Sequence, residues 1–374
     1  MPKKIAVVGA GIGGLSVAAR LAKSGFDVEV FEKLSGCGGR NNIIEDKGFK
    51  FDIGPSFVIM TDFFEEIFNY CGENIKDYLD LKELEPDCGI FTFDAMFMGG
   101  SFGAQKIFHP MGGMYKIPVA LENLGRKFGA KYRYNCEVTE IKKKENGFIL
   151  NFRDREVQAD KVVINADYAY AQADIFKRNI PNYKYSCSAY LLYLGLKAKV
   201  PGVSHYNLFF SPDLKRNLNQ VFKEKVFPDN PSFYVHVPTI IDPMLAPAGR
   251  DLFYILVPVA NLKDNKDNIT KNEEALKKIV FARINKKLGI DLEELIEVEH
   301  KFYPQDFISR YNIKYGAVFG RTYSLIQSMF FRPANFDRKL KGVYFVGASV
   351  GPTGGLPIVI ASSKIVVDLI NRGK

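Results

Sequence analysis

The 374-residue sequence has no tryptophan, four histidines and five cysteines. So little histidine leaves no H-x-x-x-H or H-E-x-x-H pair, and a metal centre is not expected. Cys37, Cys71, Cys88, Cys136 and Cys187 are odd in number, widely spaced and free of any C-x-x-C pair. That argues against a disulfide framework or a zinc site and for a reducing, cytoplasmic setting. Lysine and arginine outnumber aspartate and glutamate by 51 to 42, a net charge of +9. No basic run is long enough to form a nucleic-acid arm, so nucleic acid is not an expected partner. The excess reads either as a solvated lysine-rich surface or as attraction to an anionic membrane. The longest uncharged run, Gly342 to Ser363, is too broken by glycine and proline to span a bilayer as a helix. Met1-Pro2-Lys3-Lys4 leads directly into the first predicted strand, so no signal peptide is expected ahead of it.

What is present begins with a strand–turn–helix–strand unit. Ile5–Val8 reads as a buried parallel strand, Gly9-Ala10-Gly11-Ile12-Gly13-Gly14 as a turn, Leu15–Ser24 as a helix and Val28–Phe31 as a second strand. Gly9 permits the tight turn, Gly11 lets a pyrophosphate approach the backbone, and Gly14 lets helix and strand pack closely. The helix amino end then faces the phosphates. Glu32, with Lys33 beside it, stands where a carboxylate accepts hydrogen bonds from an adenosine ribose. The predicted fold class is α/β, with a Rossmann-like dinucleotide domain and a second, mixed-sheet domain.

Gly38-Gly39-Arg40 follows closely and resembles the extended fingerprint of glutathione-reductase-like flavoproteins, which points to FAD. A guanidinium fork suits diphosphate oxygens. Glu137–Ile141 and Phe148–Phe152 are expected to form a hairpin turning at Asn146-Gly147, with Lys161–Ile164 as a further strand. Asp167, after Asn165 and Ala166, suits a helix cap as well as a cofactor contact. Near the end of the sequence, Lys341–Val346 reads as a strand, Gly347-Ala348-Ser349 as a break and Pro357–Ile370 as a helix. A second helix amino end is thus available to favour negative charge.

Larger segments resemble the bacterial carotenoid desaturase family, which includes phytoene and dehydrosqualene desaturases. They are Phe51-Asp-Ile-Gly-Pro-Ser56, His109-Pro-Met-Gly-Gly-Met-Tyr115, Ser186–Gly195, His205–Phe210, Tyr234–Pro238, Asp242–Pro247, Phe331–Asn335 and Gly342–Ala348. The resemblance implies an FAD-dependent oxidoreductase that forms double bonds in a long apolar polyene by hydride transfer from an allylic carbon to flavin N5. It implies peripheral contact with the inner face of the cell membrane. By resemblance, the cofactor-binding residues are Gly9, Gly11, Gly13, Gly14, Glu32, Lys33, Gly39, Arg40, Val138, Gly347, Ala348, Gly355, Leu356 and Pro357, with Thr353 offering a backbone N–H. No catalytic side chain is assigned. Residues 1–75, 107–170 and 318–374 are expected to form the FAD domain, and 76–106 with 171–317 the substrate domain. Two features depart from the family. Gly351 stands where relatives carry a histidine, and the long helical stretch of relatives is largely missing between Ile90 and Phe108. An amine or porphyrinogen oxidase, a polyene isomerase or oxidase, and a non-catalytic prenyl-binding protein remain as alternatives on the same scaffold.

Overall fold

A computed structural model describes residues 2–84, 106–263, 269–322, 332–352 and 354–372. Cys88, the shortened stretch after Ile90, Phe331 and Thr353 lie outside the described residues.

The apolar Ile5–Val8 run is buried on both faces, as a central parallel strand requires. It lies at the middle of a five-stranded parallel sheet ordered Val343–Phe345, Lys161–Ile164, Lys4–Val8, Asp27–Phe31, Lys131–Arg133. The chain leaves Lys4–Val8 through the helix Ile12–Lys23 to one neighbour and later supplies the other neighbour from Lys161–Ile164. Strand order reverses there, which opens a crevice at the carboxyl ends of the strands. Helices Ile12–Lys23, Lys116–Lys127 and Leu356–Arg372 cover one face through Leu15, Ala19, Leu121, Ile360 and Val367. A three-stranded sheet, Glu140–Lys144, Gly147–Asn151 and Glu156–Ala159, supplies Phe148 and Leu150 to the core on the opposite side. Arg20 is fully buried between helices, where it donates to Ser363 Oγ at 3.0 Å and pairs with Glu66.

The second layer is antiparallel, ordered Tyr206–Phe209, Phe233–His236, Asp251–Val259, Ser188–Leu196, Ile296–Phe302. All nine residues of Ser188–Leu196 are buried, because both faces of this strand are covered. Helix Ile269–Leu288 packs Leu276, Val280, Phe281 and Ile284 on one face. The hairpin Asn42–Asp46/Phe49–Ile53 packs Phe49 and Phe51 on the other. A Cβ on Gly195 would lie 2.8 Å from the Phe49 ring, so glycine is what lets hairpin and sheet meet.

Some expected boundaries moved. The strand expected from Glu137 begins at Glu140. The N–H groups of Asn135 and Cys136 are taken instead by the carbonyls of Leu34 and Glu32, so this segment follows the end of Asp27–Phe31 before the hairpin starts. The hairpin 42–53, grouped by sequence with the cofactor segments, joins the core of the antiparallel layer through its phenylalanines.

Candidate cofactor site

Both glycine turns lead from carboxyl ends of strands in the same parallel sheet. After Lys4–Val8, Gly9 adopts φ +98°, a region that an L side chain rarely enters. Gly14 follows in the helix, and a Cβ there would drive into the Gly9 carbonyl oxygen. The helix amino end is capped by Gly11, with no side-chain cap and no acidic residue in the first turn. Its first N–H groups and partial positive charge are therefore left to an external anion.

The second turn arrives from the far end of the chain. Val346 N–H donates to the Ile164 carbonyl at 3.0 Å, carrying Gly347 to the crevice with φ +109°. Gly355 also has positive φ, at +104°, and accepts from Val359 N–H at the start of the helix Leu356–Arg372. Pro357 is buried in the first turn of that helix.

Asn165 joins the two turns. Its N–H donates to the Val8 carbonyl at 2.8 Å, and its Nδ2 to the Gly9 carbonyl at 3.3 Å. A Cβ on Gly11 would lie 2.8 Å from Nδ2, one on Gly13 2.7 Å from Oδ1, and one on Gly347 2.8 Å from the same Oδ1. Val346 and Val359 also stand at 3.2 and 3.1 Å from a Cβ on Gly13. The 9–14 turn and the 346–359 segment are thus in van der Waals reach of each other, with one amide between them. Sequence reasoning passed over Asn165. Its only signal was its place directly after a buried strand, and strand pairing was needed to show what that strand sits beside.

The Gly38-Gly39-Arg40 loop forms a third wall. Gly38 N–H donates to the Ala10 carbonyl at 2.8 Å, and Gly39 approaches the Gly11 Cα so closely that a Cβ would lie 3.2 Å from it. Arg40 Nη1 donates to the Val318 carbonyl at 2.9 Å and fastens the segment 317–322 to this loop. Arg332 is buried and donates to the carbonyl of Ala348 at 3.1 Å, beside Gly347.

Glu32 is 6% exposed and holds the wall from behind. One carboxylate oxygen accepts from Ala10 N–H at 2.7 Å, the other from Leu34 N–H at 2.8 Å. Burial raises its pKa, and those two N–H bonds pull it back. Lys33 does something other than the sequence suggested. Its ammonium bonds the Ser309 carbonyl at 2.9 Å and Asn312 Oδ1 at 2.8 Å, tying this loop to the helix Pro304–Tyr311. A long flexible ammonium finds two good acceptors there, so the side chain is engaged away from the glycine turn. Val138 is 4% exposed and packed with Phe31 and Phe152, so only its backbone is available to a ligand. Asp167 caps the turn Tyr168–Tyr170, accepting from the N–H groups of Ala169 and Tyr170.

These features fit FAD. The crevice floor is bare backbone where a Cβ at Gly9, Gly11, Gly13, Gly14 or Gly347 would intrude, one helix amino end lacks a side-chain cap, and among the described residues Arg321 Nη2 is buried without a hydrogen-bond partner. A diphosphate dianion satisfies the chemistry of that wall. When bound, FAD supplies a two-electron oxidant.

Three of the four histidines, His109, His205 and His236, lie together against the antiparallel layer, and His300 pairs with Asp46 at 3.0 Å. His205 and His236 face each other through Nε2 atoms 3.2 Å apart, and His205 Nδ1 bonds the Val237 carbonyl at 3.1 Å. His109 bonds the buried Asp242 at 3.3 Å. Tyr206 stacks on His236, 4.9 Å between centroids. No role for these histidines was legible in the sequence, and among the described residues no cluster has a metal-binding arrangement. Burial pushes His205 down to about 3, with His109 adding to the effect, and His236 well below its usual value. Burial pushes Asp52 up to about 6, against the N–H groups of Met114 and Tyr115 that it accepts.

The signs oppose. A neutral buried histidine stabilises above pH 6.5, and that contribution is lost as the pH falls towards about 3. Asp52 favours protonation, so its contribution is greatest at low pH and is lost as the pH rises through about 6. Each histidine contributes a slope of up to about 1.4 kcal/mol per pH unit. Replacing His205 by Gln is therefore expected to flatten the fall in thermal midpoint between pH 6.5 and 4, and an unchanged slope would remove His205 from this account.

Comparison with known proteins agrees with this construction. Residues 7–73 match the NAD(P)-binding Rossmann-like domain, and residues 91–371 match the flavin containing amine oxidoreductase family. A zeta-carotene-forming phytoene desaturase of Myxococcus xanthus is 32% identical, over 98% of this chain and 93% of the relative. The 4,4'-diapophytoene desaturase of Staphylococcus aureus is 29% identical over 98% of both chains. The Myxococcus alignment runs over 486 positions against the 374 residues here, so it contains a large gap on this chain's side. A solved oxidoreductase of Methanosarcina mazei superposes with a TM-score of 0.63 at 17% identity, covering 98% of this chain and all of that one, and shares the fold. Crevice, glycine turns and relatives agree: the chain belongs to the flavin-containing amine oxidoreductase family and, within it, to the carotenoid desaturases.

Proposed function

We propose that this protein desaturates a long apolar polyisoprenoid of the phytoene or diapophytoene type, with FAD held in the crevice at Asn165. The observation that carries the reading is the meeting of two glycine turns, from opposite ends of the sequence, on one asparagine amide. Gly9, Gly11, Gly13, Gly14, Gly39 and Arg40 would hold the diphosphate, with Glu32 towards the ribose. Gly347, Ala348, Gly355, Leu356 and Pro357 would border the ring, with the backbone at Val138 beside the adenine. The protein's part is to orient the substrate and exclude water. Tyr206, Tyr234 and Tyr254 contribute to this. Their hydroxyls bond Ser56 O, Ser56 Oγ and Gly54 O, fixing the Gly54-Pro55-Ser56 segment against an aromatic wall.

An apolar substrate gains little on moving from bilayer to apolar protein, so delivery at a membrane surface suits it. Leu218 and Phe222 are exposed four residues apart on a helical stretch that also carries Lys215, Arg216 and Lys223. That combination supports peripheral contact with an anionic bilayer. Among the described residues no helix is long and apolar enough to cross a membrane.

The test is incubation of FAD-loaded protein with liposomes carrying phytoene or 4,4'-diapophytoene. The expected result is a red-shifted polyene absorbance with one of them. Peroxide release from amines without any polyene change would favour the amine oxidase reading that the matched family also allows.

A further inference from the structure

Arg321 follows the short helical turn Lys314–Gly316. It is 6% exposed, and its Nη2 meets no hydrogen-bond acceptor among the described residues. Its guanidinium lies over the Tyr183 ring, 4.1 Å from the centroid, and its backbone bridges Tyr185. No carboxylate among the described residues stands within ion-pair distance of it. A buried, uncompensated cation is costly, and one aromatic face recovers only a part of that cost.

Its position gives the cation a use. The segment 317–322 is fastened to the Gly38-Gly39-Arg40 loop by Arg40 on the Val318 carbonyl. Arg40 and Arg321 both act electrostatically on Asp167, two residues beyond Asn165. Tyr168 also feels Arg321, and Tyr168 N–H donates to Ser349 Oγ, two residues beyond Gly347. Arg321 lies three residues beyond Val318, on the segment that Arg40 ties to the Gly38-Gly39-Arg40 wall of the crevice. Asp167 already accepts two backbone N–H groups at its turn. The wall keeps a surplus of positive charge, which suits an anionic ligand.

We propose that Arg321 is a cofactor-binding residue whose buried guanidinium pairs with an anionic group of bound FAD. The inference rests on the reading that this crevice binds FAD, and it adds a residue that neither glycine fingerprint contains. The anion is either the diphosphate or the charge that develops on the ring on reduction, and the chemistry of recognition is the same.

The experiment compares wild type with R321M and R321K, titrating FAD into apoprotein and measuring the midpoint potential of the bound flavin. A diphosphate contact predicts at least tenfold weaker binding of oxidised FAD by R321M. A ring contact predicts a lower potential, by about 30 mV for each tenfold preference lost by the reduced form. R321K is expected to restore part of either effect. Methionine fills similar volume without an orphan cation, so the apoprotein should be equally or more heat-stable. Loss of apoprotein stability in R321M, with FAD affinity and potential unchanged in both variants, would show a structural role only and overturn the proposal. Failure of wild type itself to bind FAD would instead overturn the reading of the crevice.

Discussion

Replacing Gly14 by alanine is expected to give a colourless protein that no longer retains FAD. The local effect of the substitution is favourable, because alanine stabilises a helix interior by about 0.5–1 kcal/mol relative to glycine. The tertiary effect is opposite and larger. The new methyl would be driven into the Gly9 carbonyl oxygen and would lie 3.1 Å from Asn165 Nδ2. A backbone carbonyl cannot rotate away like a flexible side chain, so the turn must open. Overpacking of this kind costs about 1–3 kcal/mol. Opening the turn also displaces N–H groups at the helix amino end, and we expect FAD affinity to fall by at least about a hundredfold, or roughly 3 kcal/mol. Fluorescence titration of apoprotein with FAD measures this directly. Wild-type affinity in G14A would mean that the first turn tolerates a side chain and that this geometry is wrong.

The second large effect is expected at Glu32. In E32A two N–H groups, of Ala10 and Leu34, lose the buried acceptors that they have at 2.7 and 2.8 Å. Each unsatisfied buried donor costs about 1–3 kcal/mol, so the apoprotein should lose roughly 2–6 kcal/mol. FAD binding should weaken as well, because Ala10 belongs to the phosphate turn. E32Q keeps a carbonyl oxygen as acceptor and should lie between E32A and wild type in chemical denaturation. If E32A unfolds at the wild-type denaturant concentration and loses only FAD affinity, Glu32 is a ligand contact without the structural duty given to it here.

An apolar polyene offers an enzyme few polar handles, which is consistent with a sequence marked by no catalytic triad or metal-ligand motif. The histidines that the antiparallel layer gathers are buried, and burial keeps His205 and His236 neutral. They are expected to shape acid stability.

The first turn was legible because its signals are local. Glycines at fixed spacing, a flanking apolar strand and a carboxylate at the end of the next strand lie within about thirty residues, and each follows from backbone geometry. Strands such as Ile5–Val8 and Lys161–Ile164 were legible for a similar reason: an uninterrupted apolar run is what a strand covered on both faces needs. Side-chain direction was not. Lys33 neighbours Glu32 in sequence but reaches Ser309 and Asn312, because the nearest good acceptors belong to a helix far along the chain. Asn165 and Arg321 carry no motif at all. One gains its place from parallel pairing of Lys161–Ile164 with Lys4–Val8, the other from a segment tied across the crevice by Arg40. By itself, then, the sequence determined that a dinucleotide turn forms at residues 9–14 and that a second helix opens near residue 356. That those two ends face one asparagine was decided by the order of strands in the sheet, since pairing between distant segments is governed by the burial of whole faces rather than by any short run of residues.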